Sequence, residues 1–97
     1  MHIGACRLTF RLPGNDSLKG KRQVSRSLIA RLRQRFNLAV AEVDGMDRHQ
    51  TLVIGFTCVS NEAAHAADMV NAAVKFVQSQ HIDAELIDVQ SEIIDEV

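Results

Sequence analysis

Large aromatic side chains are scarce in this 97-residue sequence, which has four phenylalanines and neither tyrosine nor tryptophan. A domain that binds RNA by stacking bases on its sheet needs aromatic residues on an exposed strand face. The predicted third strand has one phenylalanine, Phe56, and its parity places it on the helix-facing side. The sequence therefore argues against RNA recognition by sheet aromatics.

Long apolar runs and cysteine motifs are also missing. No segment approaches the ~18 apolar residues of a membrane helix, and no charged segment precedes an apolar stretch as in a secretory signal. The two cysteines, Cys6 and Cys58, have no CxxC spacing. We therefore expect a cytoplasmic protein without membrane association, with reduced core cysteines, no metal site and no cofactor.

Motifs of catalysis are absent as well. Serine, cysteine and histidine are scattered, with no nucleophile elbow. The loop 13–16, PGND, has an acid where a phosphate cradle would need donors, and GNDS at 14–17 does not form the GxxG loop of a KH domain. Glu42, Asp44 and Asp47 are expected to form a solvated turn rather than a cation site. We predict that the protein is not an enzyme.

The net charge of −1 hides an uneven distribution of charge along the chain. Residues 1–35 contain nine Lys or Arg and one Asp, a net charge of +8, whereas residues 36–97 have a net charge of −9. Such asymmetry favours a local basic patch that binds an anionic partner. It would also suit head-to-tail self-association.

Most of the positive charge lies in one predicted amphipathic helix, residues 17–36, with Ser17 as its N-cap. At 100° per residue, four cations fall within an arc of about 60°, opposite the apolar residues Val24, Leu28 and Leu32. The helix contains no acid, although solvated helices usually interleave acids with bases. We predict that it binds nucleic-acid phosphates, whereas the alternative is a merely solvated helix. The predicted contacts are Lys19, Lys21, Arg22, Arg26 and Arg33.

Hydrophobic periodicity predicts strands at 2–12, 38–44, 50–59 and 81–90 and a second helix at 61–79. The order β-α-β-β-α-β is the ferredoxin-like α+β pattern, a four-stranded antiparallel sheet with both helices on one face. Right-handed crossovers give the strand order 4-1-3-2. We therefore predict one domain, residues 1–97. A phase change at Ile87 predicts a bulge, and residues 90–97 either fray or continue the edge strand.

The second strand has one charged residue that indicates its orientation, Glu42. If Glu42 faces water, Ala39, Ala41 and Val43 face the core. The opposite sheet face would then carry few charges and would be exposed, which is typical of an interaction surface. The predicted interface residues are Leu38, Val40, Val53, Thr57 and Val59.

The segment from Leu12 to Asn37, LPGNDSLKGKRQVSRSLIARLRQRFN, together with VSN at 59–61 and AELIDVQSEII at 84–94, resembles the YlxP-like family, the domain of unknown function 503 family of bacteria. The resemblance covers nearly the whole chain. It implies a ferredoxin-like fold, no known enzymatic activity, and a gene neighbourhood of translation and ribosome-maturation factors. Two residues depart from the family pattern: Gly20 replaces an acid, and His49 replaces an aromatic residue beside Gln50.

Two hypotheses of different classes follow. The first is an RNA- or ribosome-associated accessory factor that binds phosphates through the first helix. The second is a protein-interaction module, for example a homodimer, that has no nucleic-acid ligand.

Overall fold

The six elements of the chain follow the predicted order in the computed structural model, which describes all 97 residues. Their bounds are β1 His2–Arg11, α1 Leu18–Arg35, β2 Ala39–Asp44, β3 Thr51–Ser60, α2 Ala63–Ser79 and β4 Glu85–Ile94. All strand pairs are antiparallel, and the sheet order is β2-β3-β1-β4, the predicted order counted from the other edge. The predicted ferredoxin-like α+β fold is therefore confirmed.

The core lies between one face of the sheet and the two helices. Alternation in β1 buries Cys6, Leu8 and Phe10, and these pair with the equally buried Phe56, Ile54 and Leu52 of β3. The helices contribute small and branched residues: Leu28 and Leu32 from α1, and Ala66, Val70, Ala73 and Val77 from α2. The opposite side of the sheet, which neither helix covers, is called the open face below.

Both cysteines are unpaired and buried on the helix side of the sheet. The register pairs Cys6 with Phe56 and Cys58 with Gly4, so the two thiols are diagonal neighbours on adjacent strands. Burial raises the pKa of the Cys6 thiol from 9.0 to about 11. A thiol with this pKa is protonated at neutral pH and is a poor nucleophile or metal ligand.

The predicted orientation of β2 is wrong. Val40 pairs with Phe56 and is part of the core, and Glu42 pairs with Ile54 on the same, helix-facing side. Ala39 and Ala41 consequently lie on the open face. The physical reason is a partner for the carboxylate: Lys21 of α1 lies 2.9 Å from Glu42, so this charge can face the helices.

Two bulges adjust the sheet. The predicted one is confirmed, because the β1–β4 register shifts between Thr9 and Phe10 and leaves Ile87 as the extra residue. The other lies in β2, where Val43 is skipped between Glu42 and Asp44. This Val43 side chain folds over Gly55, since a Cβ on that glycine would be 2.8 Å from Val43 Cγ1.

The last strand is displaced along the sequence from its prediction, beginning at Glu85 and ending at Ile94. Residues 80–84 form a connection that the Arg31 guanidinium holds through bonds to Gln80 Oε1 and the His81 carbonyl. Residues 90–97 were predicted either to fray or to continue the edge strand, and residues 90–94 continue it. Beyond β4, Asp95 Oδ1 lies 2.7 Å from His2 Nδ1.

Candidate nucleic-acid interface

Helix α1 begins with the predicted cap: Ser17 Oγ accepts a hydrogen bond of 3.1 Å from the Gly20 amide. The Asn15 side chain lies over this first turn and donates to the carbonyls of Ser17 and His49. A Cβ on Gly20 would collide with Asn15 Oδ1. Glycine at position 20 thus leaves room for an asparagine that joins the β1–α1 loop to the β2–β3 loop, in place of an acidic capping box.

Four cations of α1 form what we call the basic face: Lys19, Arg22, Arg26 and Arg33. All four are exposed, and none has a carboxylate within 4.0 Å. The ion pairs of the molecule are His2–Asp95, Arg11–Glu85 and Lys21–Glu42. The positive charge of this face is therefore not neutralised by a direct ion pair.

Arg33 combines exposure with a fixed position. Its Nη2 donates to the Val40 carbonyl oxygen at 2.9 Å, which ties the guanidinium to the edge strand β2. A carbonyl oxygen carries no net charge, so Arg33 keeps its full positive charge. The remaining N–H groups of its guanidinium stay available for an anionic ligand.

The prediction that Lys21 contacts nucleic acid is wrong, because only 2% of this residue is exposed. Its ammonium donates to three carbonyl oxygens of the β2–β3 loop: Gly45 at 2.6 Å, Arg48 at 2.9 Å and Met46 at 3.3 Å. Lys21 therefore anchors the loop and cannot reach solvent. The sequence contained a signal for this: on the helical wheel Lys21 falls about midway between Leu28 and Leu32, inside the apolar stripe.

The Glu42 carboxylate completes the surroundings of this ammonium. Its Oε2 atom is buried, lies 2.9 Å from Lys21 Nζ and has no hydrogen-bond donor of its own. The ammonium has three hydrogens, and the three carbonyl oxygens accept them. The carboxylate thus adds an opposite charge at short range to the three carbonyl oxygens around this ammonium.

The other arginines have intramolecular contacts elsewhere. Arg31 bonds to the α2–β4 connection, and Arg35 lies 5.9 Å from the centre of the Phe76 ring on α2. These two contacts identify the flank of α1 that faces α2, so the opposite flank, which carries the basic face, lies over β2. Arg7 donates to Gln90, and Arg11 lies 3.9 Å from Glu85, both on the open face.

Only part of the predicted interface lies on the open face. Val40 is in the core, Leu38 packs against the core, and Val53 has the right parity but is only 7% exposed. Thr57 and Val59 are exposed there, Val59 by 62%. The prediction is therefore wrong for Leu38 and Val40, because β2 has the opposite orientation to the predicted one.

Comparison with known proteins agrees with the sequence resemblance. The model of a family described as "Protein of unknown function (DUF503)" matches residues 3–91. The chain belongs to the DUF503 family. The YlxP-like resemblance is compatible with this assignment. The description of the DUF503 family names no activity.

More distant comparisons add little. A search of curated proteins found no match. One similar solved structure is described as that of a protein proposed to be a chlorite dismutase, with 12% identity and a TM-score of 0.44. The match covers 98% of the DUF503 chain, which spans 45% of that protein. None of the helices is both long and apolar enough to cross a membrane.

Proposed function

We propose that this DUF503 protein is a non-enzymatic RNA- or ribosome-associated accessory factor that binds phosphates through the basic face of α1. One observation carries the proposal: Lys19, Arg22, Arg26 and Arg33 are exposed and lack carboxylate partners. The four cations lie within fifteen successive residues of α1, and fourteen steps of about 1.5 Å give a length of about 21 Å along the axis. This length suits several successive phosphates of one nucleic-acid strand.

The sheet order supports this proposal by separating the charges in space. Strands β2 and β4 form opposite edges. The basic face lies over β2, whereas β4 carries Glu85, Asp88 and Glu92 on the open face. The basic face and these three acids therefore lie on different surfaces of the molecule, although Asp44 and Asp47 of the acidic half belong to β2 and the β2–β3 loop. A phosphate backbone would be attracted to one side and repelled from the other, which orients binding.

The decisive experiment is a salt titration of binding to a 12-base-pair RNA duplex, followed by fluorescence anisotropy. Four phosphate contacts predict a slope of about −3 to −4 in log K against log salt concentration. The variant Arg22→Gln/Arg26→Gln/Arg33→Gln removes three charges, while the amide that it introduces at position 33 can still donate to the Val40 carbonyl oxygen. We expect its affinity to fall at least tenfold and its slope to approach −1.

The matched control is Arg11→Gln/Arg35→Gln/Lys75→Gln, which lowers the net charge equally but leaves the basic face intact. It should retain most of the affinity and the slope. A wild-type slope near zero, or equal losses in both triple variants, would refute phosphate binding by the basic face.

Homodimerisation is the second proposed function, and the exposed apolar end of the open face favours it. The register places Val59, Ile3 and Ile94 side by side on three strands, and Val59 and Ile94 are 62% and 38% exposed. Apolar residues grouped in this way are typical of contact surfaces. Light scattering at high protein concentration tests the proposal: Val59→Ser should convert a dimer to a monomer, and a wild-type monomer rejects it.

A further inference from the structure

The centre of the open face contains a groove between β2 and β4. Its floor consists of small residues in two cross-strand rows, Ala39–Thr57–Ala5 and Ala41–Gly55, the second of which continues to Arg7 on β1. Because alanine has only a methyl group and glycine has no side chain, the backbone of the sheet lies close to solvent here. The groove is separate from the Val59 end of the same face, because it lies one and two rows further along the strands.

The two walls of the groove differ in chemistry. On the β2 side, the bulged Val43 stands beside Gly55 and provides an apolar wall. On the β4 side, the Arg7 guanidinium donates to the Gln90 side chain, with Glu92 one row away. A ligand in the groove would therefore meet apolar surface on one flank and both hydrogen-bond donors and acceptors on the other.

Arg33 connects this groove to the basic face. It belongs to that face by its position on α1, it is fixed to the Val40 carbonyl at the β2 edge, and it lines the groove. Because α2 contacts the other flank of α1, nothing but the edge strand β2 separates the basic face from the groove. A nucleic acid bound along α1 could thus pass Arg33, cross the edge strand β2 and enter the groove.

We propose that the groove binds an unpaired nucleobase of the RNA whose phosphates bind to the basic face. The inference rests on the proposed function and names its ligand more closely: single-stranded rather than duplex RNA. A base is flat and apolar on its faces and carries donors and acceptors along its edge, which matches the two walls. Two arginines, Arg7 and Arg33, line the groove against one acid, Glu92, so the groove has a positive excess for the phosphates on either side of that base.

A second copy of the chain fits the groove less well. In a two-fold dimer the same patch meets itself, so a depression would face a depression. The apolar residues that project most on this face, Val59 and Ile94, lie at its end rather than opposite the groove. A dimer through that end leaves the groove open, so the base-binding proposal does not depend on the oligomeric state.

The test compares wild type with Ala41→Phe, which fills the groove from an exposed position on the edge strand. The control is Ala72→Phe, at an exposed position on α2. Each protein is titrated with a 12-nucleotide unpaired RNA and with the 12-base-pair duplex. We expect wild type and the control to bind the unpaired RNA about tenfold more tightly than the duplex, because only an unpaired base can pack against Val43 and hydrogen-bond along its edge. Ala41→Phe should lose this preference and keep its affinity for the duplex.

Each other outcome has a distinct meaning. If Ala41→Phe retains the preference, or wild type has none, the groove proposal is wrong while duplex binding still supports phosphate contacts. If neither RNA binds, the proposed function fails and the groove proposal fails with it. If only the unpaired RNA binds, loss of that binding in Ala41→Phe supports the groove, and its loss in Arg22→Gln/Arg26→Gln/Arg33→Gln supports the basic face. If light scattering shows that Ala41→Phe dissociates a wild-type dimer, the groove belongs to a subunit interface and the proposal is overturned. A second variant, Arg7→Gln, should reproduce the loss without filling the groove.

Discussion

The Lys21 ammonium of α1 and the Glu42 carboxylate of β2 lie 2.9 Å apart, and β2 is oriented so that the Glu42 side chain faces the helices. With Lys21 2% exposed and Glu42 exposed by only 21% in its side chain, neither charge is fully solvated. Each would carry a desolvation cost without the other. The pair joins the helix that carries the basic face to the strand that forms one wall of the groove.

Removing one partner of this pair should destabilise the fold strongly. We expect Lys21→Met to lower the free energy of unfolding by about 3 kcal/mol, because it leaves a partly buried carboxylate and three loop carbonyls without their donor. Urea denaturation followed by circular dichroism measures the change. Lys19→Met, at an exposed position, is the matched control and should change stability by less than about 0.5 kcal/mol.

Removing both partners should be less damaging than removing one. In Lys21→Met/Glu42→Leu the buried charges are gone, and replacement of an ion pair by apolar residues is often nearly neutral. We therefore expect the double variant to recover a large part of the stability lost in Lys21→Met. If the double variant instead loses as much stability as Lys21→Met and Glu42→Leu lose together, the pair does not couple α1 to β2.

Gly20 should respond to alanine in a way that depends on Asn15. Alanine normally stabilises a helix interior by about 1 kcal/mol relative to glycine. Here the added Cβ would displace the Asn15 side chain and break its bonds to Ser17 and His49. We expect Gly20→Ala to be neutral or destabilising in wild type, and to stabilise by up to about 1 kcal/mol in an Asn15→Ala background. The double-mutant cycle is read from urea midpoints, and equal effects in both backgrounds would contradict the proposed contact.

The Cys6 thiol should make stability depend on pH in the alkaline range. Its pKa is about 11 in the folded protein against 9.0 for the unperturbed thiol, because burial disfavours the thiolate. The folded state thus holds this proton more tightly than the unfolded chain. Its contribution to stability is complete below pH 9 and is lost as the pH rises from 9 to 11.

The measurement is the urea midpoint of wild type and Cys6→Ala between pH 7 and pH 11. The stability of wild type relative to the variant should be constant up to about pH 9 and should then fall. Because both proteins share all other titrating groups, the difference isolates the thiol. A constant difference across the whole range would show that the folded thiol has an ordinary pKa.

Long elements with regular periodicity were predictable from sequence. The orientation of a short strand, whose one informative charge is paired with a distant residue, was not. Strands β1 and β3 have ten residues each, and strict alternation identified the residues that they bury in the core, including Cys6 in β1 and Cys58 in β3. The six-residue β2 offers few residues to define its phase, and Glu42 indicated the wrong side because its partner lies 21 positions away. The bulge at Ile87 was visible as a phase change, whereas the bulge at Val43 was masked by that error.

The sequence alone determined the order of the elements, the strand order and the alignment of Lys19, Arg22, Arg26 and Arg33 on one side of a helix. These properties follow from periodicity and connection rules, which act over short stretches of chain. The tertiary structure decided which cations remain available: it buried Lys21 against Glu42, fixed Arg33 to β2 and left the other three in solvent. It did so because the burial of a charge depends on its partner in space, and helical periodicity does not specify that partner.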